Sequence, residues 1–230
     1  MRVRFCACVG VALLLWTSTA AAQDWSDAER AVIGSLRLNQ QPAAVPDPSN
    51  AVAANPAAVA LGRQLFFDPR FSRNGAISCA TCHDPGKQFQ DGVPRGTGLA
   101  TVERRTMPLA GVVFNAWQFW DGRKDSLWAQ AMGPIEDPRE MGGNRTRAVH
   151  LLAAHYRHPY ESLFGRLPDD ARLPANAGPL GSPEEVAAWN RMDAPTQAAV
   201  TRAFVNMAKA IAAFEATLRH SESRFDRYAE

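Results

Sequence analysis

Three neighbouring residues carry the chemistry around which this chain is organised: Cys79 and Cys82, three positions apart, and His83 directly after them. On a single turn of helix each thiol can form a thioether to a vinyl group on one edge of a porphyrin, while the adjacent imidazole turns a ring nitrogen toward the iron. The spacing points to one covalently attached haem c, with His83 as the proximal metal ligand. A CxxC pair also occurs in zinc knuckles and in thioredoxin-like dithiols. Zinc needs about two further Cys or His ligands in a second paired motif, and the dithiol needs a βαβ setting. The sequence offers neither.

The surrounding composition is that of an ordinary globular chain, 46% hydrophobic and 21% charged over 230 residues, long enough to bury a core. Met1-Arg2-Val3-Arg4, the apolar run from Phe5 to Trp16 and the small residues from Thr17 to Ala22 read as the n-region, h-region and cleavage site of a secretory leader. Residues 1–22 are therefore expected to be a signal peptide and the mature chain to begin at Gln23. The run is shorter than the roughly 20 residues that cross a bilayer, so no membrane span is expected after the leader is removed. Cys6 and Cys8 go with the leader, leaving Cys79 and Cys82 as the only mature cysteines. A chain without spare thiols suits an oxidising compartment such as the bacterial periplasm. Of 25 basic residues the leader takes Arg2 and Arg4, which balances the remainder against 23 acidic ones. That balance, with no Lys/Arg tract, argues against a nucleic-acid partner.

The elements that must position the string read as helices separated by long loops. Ser26 to Leu38 has helical apolar spacing with Ser26-x-x-Glu29 as a capping box, and residues 39–55, with Pro42, Pro46 and Pro48, form an extended strap. Residues 23–55 are thus an N-terminal helix and Pro-rich strap, followed by the haem domain from residue 56. Asn55-Pro56 predicts the N-cap and first position of a helix through Phe66 that delivers the chain to the attachment string. Asp84 to Met107 is loop, and Trp120-Asp121-Gly122-Arg123 is a turn. A helix is expected from Asp125, as cap, to Met132, and another from Asn144 to His155, with loop again from Leu167 to Pro183. Val200, Phe204, Met207, Ile211, Phe214 and Leu218 form one apolar stripe on a helix from near Asp193 to about Ser221. No strand alternation is found. The fold class is all-α, and loops this long suggest that a cofactor completes the core.

Several strings together resemble the bacterial di-haem cytochrome c peroxidase family, which includes MauG-like enzymes. They are Leu61-Gly62-Arg63-Gln64-Leu65-Phe66-Phe67-Asp68-Pro69-Arg70, Ile77-Ser78-Cys79-Ala80-Thr81-Cys82-His83-Asp84-Pro85, Gln118-Phe119-Trp120-Asp121-Gly122-Arg123, Gly133-Pro134-Ile135, Glu140-Met141-Gly142, and the stretch from Ala210 to Leu218. The resemblance implies a cytochrome c-type fold and, for residues 56–230, the family's N-terminal haem domain, where hydrogen peroxide is reduced with electrons from a small redox protein. The family's second CxxCH, in a following C-terminal domain, has no counterpart up to Glu230. The expectation is that both electrons come from outside, from the small redox protein or a separate second-haem polypeptide. The alternative is a mono-haem electron-transfer cytochrome or a catalytically silent haem domain.

The same resemblance assigns candidate roles. Gln118 is the distal catalytic candidate, although a Gln before two aromatic residues also serves as a backbone-satisfying core residue. Arg105 and Arg123 are candidates for pairing with haem propionates, and Trp120 for contact with the cofactor. The family's distal glutamate falls on Trp128, so Glu136 and Glu140 are the acids that could replace it. His150, His155, His158, His220 and Met107 are the candidates for a sixth iron ligand.

Overall fold

The computed structural model describes residues 24–40 and 47–230; the expected leader, and residues 41–46 of the strap, lie outside the described residues. Nine helices are present among the described residues: α1 Asp27–Ser35, α2 Pro56–Phe67, α3 Cys79–Cys82, α4 Leu127–Glu136, α5 Arg145–His155, α6 Arg157–Phe164, α7 Pro183–Asn190, α8 Ala194–Glu215 and α9 Arg224–Tyr228. Among these residues only isolated β-bridges occur and no sheet, so the all-α expectation holds. No described helix is long and apolar enough to cross a membrane.

The chain divides into two compact units. One comprises residues 24–40 with 222–230, the other 47–221. In the first, the Ser26–Glu29 capping box starts α1, and Asp226 accepts the backbone N–H of Leu38 at 2.7 Å. Hydrogen bonds from Ser223 and that Leu38 N–H hold the Asp226 carboxyl down at about 2.

The larger unit is built on α2 and α8. The Asn55 side chain accepts the Ala57 N–H and Pro56 occupies the first turn, the arrangement a helix start favours because its first N–H groups lack partners. Ala58, Leu61, Leu65 and Phe66 form the buried face. Gly62 permits the crossing, since a Cβ there would stand 1.8 Å from the Ala210 carbonyl oxygen of α8. On α8, Val200, Phe204, Met207 and Ile211 are all essentially inaccessible. The strap is tied down where it is described: the Asn50 amide donates to the Lys209 carbonyl at 3.0 Å.

Some boundaries differ from expectation. Ser126, not Asp125, caps α4, and the helix passes through Pro134 to Glu136 rather than stopping at Met132. α8 stops at Glu215 instead of near Ser221, and beyond its end the Leu218 carbonyl accepts the Gly111 N–H at 2.9 Å, a tertiary hydrogen bond in place of a helical one. α6, α7 and α9 were not expected. For α7 a signal was present, since Ser182 and Glu185 form a full capping box with Pro183 at the first position.

Candidate functional site

The approach to the attachment string is braced by Ser72. Its buried hydroxyl donates to the Pro69 carbonyl at 2.7 Å and accepts the Ile77 N–H at 3.1 Å, closing the loop that leads into Ser78. Cys79 to Cys82 then form a single turn, with the Ser78 N–H on the Thr81 hydroxyl at 3.0 Å and the His83 N–H on the Cys79 carbonyl at 2.9 Å. Both cysteines are free thiols, and burial raises the pKa of each.

His83 is held from behind. Its Nδ1 donates to the Phe89 carbonyl at 3.0 Å, and that carbonyl is aimed by two successive non-glycine residues in the left-handed region, Gln88 (φ 58°) and Phe89 (φ 57°). Such backbone is costly for a bulky side chain and persists only when its surroundings impose it. Here the Phe89 ring packs edge-on against Phe66 at 6.2 Å, and Phe66 also lies 6.5 Å from the imidazole. Burial pushes the imidazole pKa down, with the Phe89 carbonyl, Asp91 and the Met107 carbonyl acting the other way. The neutral ring that results is the form that binds a metal. With Nδ1 engaged, Nε2 is the nitrogen free to do so.

In front of His83 lies a cavity of about 150 Å³, open to solvent, whose wall includes Cys82, His83, Arg105, Gln118, Trp120 and Arg123. Residues scattered over the sequence from 82 to 123 therefore meet at one place. Gln118 is 3% exposed and its amide donates to the Asn115 carbonyl at 3.1 Å. It is thus a backbone-bonded residue that also lines the cavity. The Arg105 guanidinium donates to the neutral Gln90 amide oxygen at 3.0 Å, and the Trp120 indole donates to the Arg105 carbonyl at 2.8 Å. Arg123 lies 3.4 Å from the centre of the Phe119 ring and pairs with one oxygen of Asp121 at 2.8 Å while Arg104 takes the other. These two guanidinium groups hold the Asp121 carboxyl below its usual range. Cys79 stands outside this wall, packed against the hydrophobic core.

The remaining candidates separate by position. Trp128 is not part of the cavity wall; its indole donates to the Ser49 hydroxyl at 2.7 Å and Lys209 lies over its ring. Glu136 is buried in an ion pair with Arg145 at 3.0 Å. Glu140, by contrast, lines the cavity. Burial raises its carboxyl pKa, Asp137 adds to the effect, and Arg123 and Arg139 oppose it. No described histidine other than His83 lines the cavity, whereas Met107 does. His150 is bonded to the Pro174 carbonyl at 3.1 Å, beside a separate open groove.

These residues fit a c-type haem. One thiol and the imidazole border the cavity, its wall includes the apolar side chains of Met107, Leu109, Val112 and Phe119, and Arg105 and Arg123 stand ready for acidic groups. Among the described residues no cluster of three or more His, Cys, Asp or Glu is placed to hold a metal ion. Sequence reasoning missed Arg104, Gln130, Asp137 and Arg139, which line the cavity; outside the cavity wall, Glu215, in the matched Ala210–Leu218 stretch, is buried with one oxygen unpartnered among the described residues. Its only sequence signal is an acid interrupting an apolar helix face.

Comparison with known proteins gives the family. Residues 56–230 match the family described as di-haem cytochrome c peroxidase. The methylamine utilization protein MauG of Methylorubrum extorquens is 36% identical over 223 residues, 96% of this chain and 54% of that protein. Cytochrome c551 peroxidase of Pseudomonas aeruginosa is 39% identical over 171 residues, 73% of this chain and 41% of that one. Among solved structures, the diheme peroxidase BthA of Burkholderia thailandensis superposes with a TM-score of 0.58 at 25% identity, covering 80% of this chain and 44% of that one. The chain thus spans about half the length of the curated relatives it matches.

Proposed function

The chain belongs to the di-haem cytochrome c peroxidase family, and from that premise we propose that residues 56–230 are a peroxide-reducing haem domain of an exported, periplasmic protein whose leader is residues 1–22. In this reading one haem c is attached through Cys79 and Cys82 and ligated by His83. Hydrogen peroxide is the substrate, and electrons arrive from a small redox protein or from a separate polypeptide carrying a second haem. The observation that carries the reading is the single-turn helix that sets two thiols beside a half-buried imidazole at the edge of a cavity.

The bound haem would supply a redox-active iron. The chain's own contribution is positional. Phe89 fixes the imidazole through its carbonyl, Gln118 offers an amide to a ligand in the cavity, and Arg105 and Arg123 balance acidic groups at its rim. Glu140, whose burial favours the protonated form, is the acid placed to pass a proton to the substrate. A positioned acid of this kind is worth about 10²–10⁴ in rate. Glu140→Gln is accordingly expected to slow the reaction with peroxide about 100-fold.

Expression with export and haem-maturation machinery tests the premise. The mature mass should rise by one haem, and colour that extracts into acidic organic solvent from the denatured protein would overturn the attachment. His83→Gly should keep the haem attached and change the Soret and α/β bands; an unaltered spectrum would assign the ligand elsewhere. Met107 in the cavity wall favours a second reading, an electron-transfer cytochrome with a thioether as sixth ligand. A six-coordinate spectrum that peroxide leaves unchanged would select it.

A further inference from the structure

Glu140 lines the cavity with little support for its own side chain. Asp137, Arg123 and Arg139 act on its carboxyl through charge, and no described group holds that carboxyl by a hydrogen bond. Where it stands is therefore decided by the backbone, which is held from two directions. On its own side the Glu140 N–H donates to the Asp137 carbonyl at 3.1 Å, and the Met141 N–H to the Pro134 carbonyl at 3.1 Å. From across the cavity wall comes the loop of residues 96–102. The Leu99 N–H donates to the Glu140 carbonyl at 2.9 Å and the Ala100 N–H to the Arg139 carbonyl at 2.7 Å. The same loop touches the attachment string, since the Thr97 carbonyl accepts the Cys82 thiol at 3.6 Å. Gly98 makes the contact close. A Cβ there would stand 2.4 Å from the Glu140 carbonyl oxygen and 2.7 Å from the Glu140 Cα, backbone atoms that cannot swing aside as the end of a side chain can. Gly98 is not among the residues at positive φ, so space rather than conformation calls for glycine here.

We infer that Gly98 is a positioning residue for the peroxide reaction: its missing side chain lets residues 98–100 close on the backbone of residues 139–140, and that contact holds the Glu140 carboxyl in the cavity. The inference rests on the proposed reading of Glu140 as the acid. It differs from a purely structural role, in which Gly98 only lets its loop pack. In that case a larger residue would lower stability and leave the contribution of Glu140 to the rate intact.

The test is a double-mutant cycle on the haem-loaded protein, with the rate of reaction with hydrogen peroxide followed by stopped flow across pH for the native chain, Gly98→Ala, Glu140→Gln and the two together. Gly98→Ala should slow the reaction at least tenfold, since a misplacement of about 1 Å can cost about 100-fold. In the Glu140→Gln background the same substitution should cost nothing further. The native rate should fall as pH rises through the Glu140 pKa, and both single variants should lose that fall. The other charged groups of the wall, Glu103, Arg104, Arg105, Arg123, Asp137 and Arg139, are common to all four proteins. If Gly98→Ala does not accumulate with haem, Leu99→Ala replaces it under the same comparisons, because the Leu99 side chain lies so close over Gly142 that a Cβ there would stand 2.7 Å from it. Slowing of less than tenfold beside a slowed Glu140→Gln, or a full further loss in the double variant, would overturn the inference and leave Glu140 as the acid. A native rate in Glu140→Gln would overturn the reading of Glu140, and this inference with it.

Discussion

On the α2–α8 side of the larger unit, helices meet with so little slack that Gly62 lies directly against the Ala210 backbone, and Phe66, Phe204 and Met207 are closed off from water. Across the same unit, residues 84–124 contain short 3₁₀ turns and isolated bridges but no α-helix. They hold three non-glycine residues at positive φ, Gln88, Phe89 and Phe119, and leave Trp117 and Trp120 about 60% exposed. The contrast locates two sources of stability. The helical side is complete in its own side chains. The cavity side holds costly backbone and exposed aromatic surface that a packed core would not tolerate, and under the proposed haem attachment its order would depend on the cofactor.

The most severe way to sharpen this contrast is to remove the attachment. Replacing Cys79 and Cys82 together by serine should abolish covalent haem outright. Hydrogen exchange should then accelerate over residues 84–124 while α2 and α8 keep their protection; equal loosening of both sides would end the distinction. Next in size are changes inside the helical side. Phe66→Ala should cost about 3–5 kcal/mol in urea unfolding, and Gly62→Ala about 3 kcal/mol, despite alanine's better helix propensity, because the helices must separate. If Gly62→Ala proved neutral, the close crossing would not govern this packing.

A smaller effect is expected at the junction of α2 with the rest of the unit. Asp68 accepts the Tyr156 hydroxyl at 2.8 Å and pairs with Arg70 at 2.7 Å. Burial pushes its carboxyl up, but the hydrogen bonds from Arg70 and Tyr156 outweigh burial and hold it below the usual 3.8. A depressed folded value means that the stabilisation is present above the ordinary carboxylate range and is lost as pH falls through the folded value. Because Arg70 is half exposed, Asp68→Asn should cost only about 1–2 kcal/mol at pH 7. That difference should shrink as the pH is lowered below 3.8, and a pH-independent cost would mean that the charge is not what the network uses. The smallest effect lies on the cavity side, where Gln88→Gly relieves left-handed strain and should stabilise by at most about 1 kcal/mol. A loss of stability there would show that the Gln88 side chain, not its backbone, holds the turn.

What the sequence alone determined was everything written in short range. The attachment string, the Asn55-Pro56 start of α2, the Asn144 cap of α5 and the stripe from Val200 to Phe214 all depend on residues within a turn or two of one another, where propensity and capping act. The resemblance carried by those strings also named the family. What it left open were questions of facing and company. Trp128 and Gln130 are two residues apart on α4, yet Gln130 lines the cavity and Trp128 turns to Ser49. Glu136 and Glu140 look interchangeable in sequence; Arg145 claims the first, and the cavity receives the second. Just past the end of α8 a loop glycine captures the Leu218 carbonyl, and Glu215 becomes a buried acid only because other elements close over it. The physical reason is that burial and pairing belong to many residues at once: rotating one helix by a fraction of a turn exchanges which side chain meets water, core or cofactor, and only the packed assembly sets that rotation.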